Sequence, residues 1–379
     1  MSHPSVDLIS AGHICLDITP QFPQAAEGRP FERLFRPGSL LLVEPATVST
    51  GGGAANVGLS AQRLGLSVAL MGKCGDDLLG QTLLAVLRGL PPQCLTGMRV
   101  AKGEHTSYSI VLAVPGADRV FLHCPGANDT FAADDVDLDL VDSARAFYFG
   151  YPPLMTTMYA GTGEELARML SRVKIRGVTT VVDMALPDPK TPAGAAAWPE
   201  ILANALPHVD VFAPSVEELT FMLRRDEYDR LIAAGDILDQ LRADLLRGLA
   251  RHCLEMGAAV VMIKCGHRGL YVRSGTSRRI AQMGSAAPAA DRWADGELFS
   301  PAYRVPRVAS ATGAGDSAIA GFVAGLLRGA DLATAADYAC AAGAQNVQAV
   351  DAASGIKSWE ETTAQLGAPR VEPAVRLDG

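Results

Sequence analysis

The sequence has few of the features that mark secreted, membrane or nucleic-acid-binding proteins. Its seven cysteines include no Cys-x-x-Cys pair, and its N-terminus has neither a charged leader nor a sustained apolar region, so we expect a reduced, cytoplasmic setting. The longest apolar or small-residue stretches, such as 318–327, reach only about half the length of a membrane span. Basic residues form no block and the net charge is −8, which disfavours nucleic acid and anionic membranes as partners.

Sequence motifs of zinc sites and of nucleotide-binding loops are also missing. The seven histidines form no HExxH motif, so a zinc site has little support. No Walker motif occurs, and a G-x-G-x-x-G pattern starting at Gly51 fails because its sixth position is Asn56. A Rossmann oxidoreductase is therefore disfavoured, and nicotinamide binding would reveal one.

The 379 residues do contain enough apolar material for a large core, since 49% of them are hydrophobic. After residue 128, strand-like apolar segments alternate with helical patterns, beginning with 146–149, 164–174 and 179–183. This alternation predicts an α/β fold with parallel strands and helices on both faces of the sheet. Segment 274–303 is typical of an irregular surface connection, and we expect the tail after Gly367 to fray.

Two early regions depart from that alternating pattern. The stretch 19–45 is rich in proline, glycine and arginine, which favours loop with short strand pieces. Between Thr106 and Cys124, two alternating runs flank Pro115-Gly116-Ala117-Asp118. Proline and glycine at these positions suit a tight reversal, so the sequence predicts a β-hairpin there.

The sharpest motif is the glycine-rich segment 310–327. Apolar residues recur at helical spacing after Gly315, so Thr312, Gly313, Ala314 and Gly315 form the entrance of a buried helix. The nearly bare backbone and unpaired N–H groups of such an entrance can hold an anion. Asp316 follows directly and can reach a substrate hydroxyl beside that anion. On local pattern alone, a plain helix start with a favourable first-turn acid explains these residues as well.

A second glycine-rich motif lies at 50–65. Gly51 and Gly52 let a loop approach a small polar ligand closely. Asn56 offers both a hydrogen-bond donor and an acceptor, as the recognition of hydroxyl groups requires. The motif therefore predicts a site for a small polar ligand.

Taken in chain order, four motifs resemble the signatures of the ribokinase-like (PfkB) carbohydrate and nucleoside kinases: Gly51-Gly52 with Asn56, Gly72–Gly80 (GKCGDDLLG), Gly126–Asn128 (GAN) and Thr312–Asp316 (TGAGD). The resemblance extends from about residue 6 to residue 360. It implies a three-layer α/β/α fold with a mostly parallel central sheet and a small β lid. The core would comprise residues 1–11, 51–103 and 127–379, and the lid residues 12–50 and 104–126.

The resemblance also implies that ATP and magnesium serve to phosphorylate a substrate hydroxyl. Asp316 would be the catalytic base, and the turn Gly313, Ala314 and Gly315 would be the anion hole. The residues that would bind the sugar are Asp17, Gly51, Gly52 and Asn56. The residues that would lie along the nucleotide are Ser215, Lys264, Gly266, Gly269 and Thr312. Glu218 would lie near the magnesium ion and its water shell.

Simpler explanations remain for three of these assignments. Asp17, which follows a predicted strand, could be an ordinary solvated loop carboxylate. Glu217 and Glu218 could act only as dipole partners at a helix start. A glycine-containing turn explains the loop from Lys264 to Gly269 almost as well as a nucleotide contact does.

Two positions depart from the family pattern. Ser310 stands where the family commonly has an aspartate that helps to hold a monovalent cation, so potassium activation is doubtful. Ser215 replaces the usual asparagine, which shortens a polar contact near the triphosphate. Neither change removes the base or the anion hole, so we favour an active enzyme over a ligand-sensing pseudokinase, which would show a thermal shift with ligand but release no ADP.

A ribose- or ketose-type sugar is the simplest hypothesis for the substrate that accepts the phosphoryl group. A nucleoside is the alternative, because several aromatic side chains could stack on a base: Phe31, Phe35, Tyr108, Phe121 and Tyr151. Such residues at strand spacing more often pack the core or the lid. We expect Asp316, near an ordinary carboxyl pKa of about 4, to accept the proton only late in the reaction. The lid hairpin could also pair with a second copy of the chain to form a homodimer.

Overall fold

The computed structural model describes residues 5–28, 31–116 and 119–377. Strands within these residues are numbered in chain order: β1 (Val6–Gly12), β2 (Cys15–Gln21), β3 (Glu44–Gly51), β4 (Val68–Gly75), β5 (Gly97–Ala101), β6 (Tyr108–Leu112), β7 (Val120–Cys124), β8 (Ala144–Gly150), β9 (Thr179–Val182), β10 (Val211–Phe212), β11 (Val260–Lys264), β12 (Gly269–Ser274) and β13 (Glu297–Pro301).

The α-helices are numbered in the same way: α1 (Phe31–Leu34), α2 (Gly53–Arg63), α3 (Leu78–Leu87), α4 (Leu138–Asp142), α5 (Thr156–Tyr159), α6 (Glu164–Lys174), α7 (Trp198–Ala205), α8 (Val216–Leu223), α9 (Arg225–Ala234), α10 (Ala243–Glu255), α11 (Ser277–Ile280), α12 (Ala290–Trp293), α13 (Ala314–Leu327), α14 (Leu332–Asn346) and α15 (Trp359–Gln365). The predicted helix 164–174 matches α6 in both bounds.

A large sheet of nine strands forms the middle layer, in the order β13-β12-β11-β10-β9-β8-β1-β4-β5. The strands from β11 to β5 run parallel to their neighbours, while β12 is antiparallel to both β11 and β13. Parallel strands buried on both faces need nearly continuous apolar sequence, which explains the uninterrupted burial of β4 and β9. The predicted α/β class with a mostly parallel sheet is confirmed.

Helices cover the large sheet on both faces and form two separate hydrophobic clusters. Successive residues of a strand point to opposite faces, so Leu8 of β1 packs in one cluster and Ile9 in the other. The first cluster includes α2, α13 and α14, and the second includes α6, α7 and α10. The arrangement is therefore the expected three layers, with the buried helix α13 packed against both α2 and α14.

A second, smaller sheet contains four strands in the order β3-β2-β6-β7. Strand β2 pairs with β6 in parallel, and the other two pairs are antiparallel. The predicted hairpin is present as β6 and β7, although Ala117 and Asp118 of its turn lie outside the described residues. Asn128 fixes the passage from the large to the small sheet, since its amide accepts a hydrogen bond from the Ile14 N–H at 3.2 Å and donates to the Ile14 carbonyl at 3.0 Å.

Two expectations about irregular segments are wrong. Segment 274–303 contains α11, α12 and the edge strand β13, and Trp293 within it is fully buried. Because the edge strand β13 needs few apolar residues, the polar composition of this segment gave no signal for a strand. The tail after Gly367 does not fray over its described part, because Arg370 pairs with Tyr303 and Val375 is buried. Of the helices in the part of the chain that the structure describes, none combines the length and apolarity of a membrane span.

Candidate active site

The turn that enters α13 is partly open to solvent. Gly313 caps the helix in a left-handed conformation with φ of 76°, which glycine adopts without steric cost. In the described chain, the N–H groups of Gly315 and Asp316 have no backbone acceptor from the preceding loop. Gly313, Ala314 and Gly315 are each partly exposed. Unpaired donors at the positive end of a long helix therefore face an accessible space.

Asp316, in the first turn of α13, is only 3% exposed and is held by two side chains from other elements. The Asn56 amide, in the first turns of α2, donates to Oδ2 at 2.9 Å. The Tyr151 hydroxyl, which follows β8, lies 2.7 Å from Oδ1 and 2.8 Å from Oδ2. The structure thus brings the two glycine-rich motifs together at one carboxylate, although 260 positions separate Asn56 from Asp316.

A buried ion pair lies behind the entrance of α13. Lys264, the last residue of β11, donates through Nζ to Oδ1 of Asp183 at 2.5 Å. A Cβ atom placed on Gly315 would be 3.4 Å from this Nζ, so the ammonium group lies directly below the glycine turn. The other oxygen of Asp183, Oδ2, is buried and has no hydrogen-bond partner in the described chain.

These charged groups shift one another's pKa values. Burial raises the pKa of Asp316, while the positive charge of Lys264 and the two hydrogen bonds described above oppose this shift. Burial also raises the pKa of Asp183 to about 8, against the attraction of Lys264. Burial alone would lower the pKa of Lys264, but the charges of Asp183, Glu218 and Asp316 together raise it. The site is therefore one electrostatic unit with more negative than positive groups.

The glycine loop between β3 and α2 packs closely against its neighbours. A Cβ atom on Gly51 would lie 2.2 Å from Oδ2 of Asp17, and one on Gly52, whose φ is 88°, would lie 2.5 Å from the His13 carbonyl oxygen. Only glycine fits at these two positions without displacing those groups. The loop therefore packs against Asp17 at Gly51 and leads into α2, whose Asn56 contacts Asp316.

Asp17 lies within β2 rather than in a loop after a strand, so the alternative explanation of a solvated loop carboxylate is wrong, while its assignment to sugar binding stays a prediction. It faces Ser49 on one side and Ser109 on the other in the small sheet. Burial raises its pKa, while hydrogen bonds from Cys15 and Ser109 and the charge of Arg119 lower it. A half-buried carboxylate on this sheet can accept hydrogen bonds from hydroxyl groups.

Sequence reasoning missed a pair of histidines that joins the two sheets. His13, just after β1, and His123 of β7 have their Nε2 atoms 3.2 Å apart. Nδ1 of His123 is 3.1 Å from the Ser109 hydroxyl. Burial and the neighbouring imidazole lower the pKa of His13 to about 3, so it is neutral and available for hydrogen bonding. No periodic pattern in the sequence signalled this pair.

Tyr151 was named only as an aromatic side chain that could stack on a base, and Asp183 was missed as a site residue. Each follows the carboxyl end of a parallel strand, β8 and β9 respectively. Ligands of open α/β sheets bind along this edge. Polar residues at or just beyond the carboxyl ends of the predicted strands 146–149 and 179–183 were therefore the signal that could have identified both.

Ser215 and Glu218 form a reciprocal cap at the start of α8. The Ser215 N–H donates to Oε2 of Glu218 at 2.6 Å, and the Ser215 hydroxyl accepts from the Glu218 N–H at 3.2 Å. This contact gives both residues a structural role. Glu218 is nevertheless close enough to the site for its charge to raise the pKa of Asp183.

The remaining predicted nucleotide contacts lie at two loops. A Cβ atom on Gly266 would lie 2.7 Å from a methyl group of Leu238, and one on Gly269 would lie 2.2 Å from the Ser300 carbonyl oxygen. Close packing against these neighbours therefore also explains why glycine occupies both positions. At the other loop, the Thr312 hydroxyl accepts from Nη1 of Arg119 at 2.6 Å, which connects the small sheet to the entrance of α13.

Comparison with known proteins agrees with this architecture. The family model described as pfkB family carbohydrate kinase matches residues 29–359. The chain is 27% identical over 312 residues to a 2-dehydro-3-deoxygluconokinase of Thermoproteus tenax, covering 81% of this chain and 82% of that protein. It is 30% identical over 182 residues to a probable chloroplastic fructokinase-6 of Arabidopsis thaliana, covering 47% and 46% of the two chains.

Among solved structures, the ribokinase of Arabidopsis thaliana complexed with ribose and ATP has a TM-score of 0.66 and 18% sequence identity. The match covers 96% of this chain and 99% of that one, so the two share the ribokinase-like fold over nearly their whole lengths. Since the family model spans most of the sequence, the chain belongs to the pfkB family of carbohydrate kinases and is a kinase that acts on a sugar.

Proposed function

We propose that this kinase transfers the γ-phosphoryl group of ATP to a hydroxyl of a ribose- or ketose-type sugar, with Asp316 as the general base. One observation carries the proposal. The Asp316 carboxylate is buried at the partly open entrance of α13 and hydrogen-bonded to Asn56 of the glycine loop. An acceptor bound by that loop would have its hydroxyl beside both a base and a set of free N–H donors.

The turn Gly313, Ala314 and Gly315 would stabilise the negative charge on the migrating phosphoryl group. Phosphoryl transfer depends mainly on positioning and charge neutralisation, because the transferred group is already highly charged. Unpaired N–H groups at a helix start supply such stabilisation without reorganising. Lys264, below Gly315, would add a positive charge on the same side.

Asp316 would orient the acceptor hydroxyl and take its proton as the new O–P bond forms and the bond to ADP breaks. Our expectation of an ordinary carboxyl pKa needs correction, since burial raises the pKa of Asp316. A raised pKa makes the carboxylate a stronger base, so proton transfer need not wait for complete bond formation.

The site also offers oxygen ligands that suit magnesium. No three metal-binding side chains converge within the described ranges, but magnesium usually binds one or two carboxylates together with phosphate oxygens and water. We place Glu218 nearest to the ion, and the unpartnered Oδ2 of Asp183 is a second oxygen at the same edge. Magnesium would supply charge neutralisation for the triphosphate when bound.

The nucleotide would lie along Ser215, Thr312 and the loop containing Lys264, Gly266 and Gly269. We expect no potassium activation. The Ser310 hydroxyl accepts from the Thr312 N–H at 3.1 Å and so closes the turn without an ion. Rates of ADP release that are equal in sodium and potassium salts would support this assignment.

A polyhydroxylated, neutral acceptor fits the small-sheet side of the site. Asp17 with Ser109 offers hydrogen-bonding groups for hydroxyls, whereas a substrate carboxylate would meet the negative charge of Asp17. A nucleoside is less well supported, because Phe31 and Phe35 stack on each other with ring centroids 5.1 Å apart. A sugar acid, the substrate class named for the Thermoproteus tenax relative, is the main competing outcome of a substrate screen.

We further propose that the small sheet acts as a lid, over residues 12–50 and 104–126, which closes on the sugar and excludes water. Exposed apolar side chains are concentrated there, among them Leu40, Leu42, Phe121 and Leu122. Such a surface favours contact with a second lid in a homodimer.

The decisive experiment is an ADP-release screen over sugars, sugar acids and nucleosides with ATP and magnesium. We expect Asp316→Asn to retain ATP and sugar binding and to lose at least about a hundredfold in turnover. Asp331→Asn is the matched control, because Asp331 also begins a helix but caps α14. Near-normal turnover of Asp316→Asn would refute the assigned base, and ligand-induced thermal shifts without ADP release from the unmodified protein would indicate a pseudokinase.

A further inference from the structure

Tyr151 makes the most extensive contact with the Asp316 carboxylate. Its hydroxyl lies 2.7 Å from one oxygen and 2.8 Å from the other, whereas the Asn56 amide contacts only Oδ2. A phenol has a single proton to donate, so this proton is shared between the two oxygens. The contact fixes both the position and the plane of the carboxylate.

The backbone of Tyr151 indicates that this contact has a structural cost. Its φ of 64° and ψ of 46° place it in the left-handed region, which is uncommon for residues other than glycine. Pro152 follows directly, and a residue before proline normally adopts an extended conformation. Such strain persists only where the surroundings enforce it, and it is concentrated at functional sites.

The surroundings of Tyr151 explain what enforces this conformation. A Cβ atom on Gly53 would lie 3.2 Å from the tyrosine ring, and the ring centroid of His13 is 6.1 Å away. The ring is therefore held between the glycine loop and the histidine that joins the two sheets. In this constrained position its hydroxyl reaches both carboxylate oxygens of Asp316.

Resting on the proposed role of Asp316 as the base, we propose that Tyr151 is a positioning residue that holds the base in its reactive orientation through its hydroxyl. The phenol keeps its proton throughout, and the proton of the acceptor hydroxyl goes to Asp316. When the acceptor binds, its hydroxyl donates to one carboxylate oxygen of Asp316, and Tyr151 keeps its hydrogen bond to the other. Tyr151 thereby limits the acceptor to one direction of approach.

The same contact sets the charge of the base. The titratable groups that face Asp316 from neighbouring elements are Lys264 on β11, Asp183 after β9, Glu218 on α8 and Tyr148 on β8. Lys264 favours the ionised carboxylate, as do the hydrogen bonds described above, while Glu218 and burial oppose ionisation. Loss of the Tyr151 hydroxyl therefore raises the pKa of Asp316.

The variant Tyr151→Phe tests this proposal because it removes only the hydroxyl. The first measurement needs no substrate: the carboxyl ¹³C signal of Asp316, identified by its loss in Asp316→Asn, is titrated by NMR in aspartate-labelled protein. We expect the pKa of Asp316 to rise by about one to two pH units, the effect of one hydrogen bond to a charged group. Tyr148→Phe is the matched control, since the Tyr148 hydroxyl, on the strand β8 that Tyr151 follows, is buried without a hydrogen-bond partner in the described chain.

The second measurement is the pH profile of kcat/KM for D-fructose with ATP and magnesium. On the acidic side of the profile, each unit of pKa shift lowers kcat/KM about tenfold in Tyr151→Phe. We expect kcat to fall and the KM for ATP to stay unchanged. A purely structural role would lower thermal stability without moving either the profile or the NMR titration.

The outcomes separate this inference from the proposed function. If Asp316→Asn retains turnover, the base assignment fails and the inference fails with it. If Asp316→Asn is inactive but the Asp316 titration is unchanged in Tyr151→Phe, only the inference is overturned. A raised KM for the sugar with an unchanged titration would also overturn it, because Tyr151 would then contact the substrate rather than the base.

Discussion

Arg119 links the small sheet to the entrance of α13, and its removal should weaken closure of the lid. Nη1 donates to the Thr312 hydroxyl at 2.6 Å, and Nη2 donates to the Val350 carbonyl at 3.0 Å. We expect Arg119→Met to lower kcat/KM for the sugar, because these two hydrogen bonds would hold the proposed lid against the α13 entrance in its closed arrangement.

The size of the effect follows from these two contacts. A hydrogen bond contributes about 1 kcal/mol net, so the loss of two weakens closure by about 2 kcal/mol. This change shifts the ratio of closed to open molecules by about 30-fold. The decrease in kcat/KM should approach this value if closure limits the reaction, and Arg119→Lys should recover only part of it, since an ammonium lacks the planar fork that spans two acceptors.

The assay is the initial rate of ADP release as a function of sugar concentration at saturating ATP. Arg99→Met serves as the control, because Arg99 also joins two acceptors, the Asp134 carbonyl and the Asp135 carboxylate, but lies on β5 away from the turn. Equal kcat/KM values for Arg119→Met and the unmodified protein would refute the link between this contact and closure. An equal loss in both variants would attribute the effect to general charge removal.

Three further predictions concern stability and assembly. Asp210→Asn should lower the free energy of unfolding by about 3–5 kcal/mol in denaturant titrations, because the fully buried Asp210 pairs with both Lys174 and Arg279, whose charges would lose their anionic partner. Gly52→Ala should lower it by at least about 1–2 kcal/mol and raise the KM for the sugar, whereas Gly367→Ala, with open space around it, should change neither. Leu122→Lys should shift a lid-mediated dimer towards monomer in sedimentation velocity, and a monomeric unmodified protein would contradict that proposal.

The sequence predicted the elements whose signals are local. Helix α6 has strong amphipathic spacing, and its bounds were predicted to the residue. Strand β13 was missed, because an antiparallel edge strand such as Glu297–Pro301 is only partly buried and shows no apolar run. Its burial arises from pairing with β12, which no local pattern encodes.

Site residues could be predicted from the sequence only where they belong to a recognisable motif. Asn56 and Asp316 belong to glycine-rich segments, and their convergence followed from the family resemblance. Tyr151 and Asp183 belong to no such motif, and their roles depend on which parallel strands lie side by side. Strands β8 and β9 are adjacent in the sheet, and their carboxyl ends bring both side chains to the same edge. Chain order alone does not determine that adjacency.

The protonation state of Asp316 shows why a motif is not sufficient to describe a base. Read as a first-turn acid, the residue has an ordinary pKa and is a weak base at neutral pH. The folded protein buries the carboxylate, which raises its pKa, and then limits that rise with Lys264, Tyr151 and Asn56. Since these three groups oppose the effect of burial, the loss of any one of them would raise the pKa of Asp316 further. The basicity that we propose for Asp316 therefore depends on the balance between its burial and three side chains that the motif does not contain.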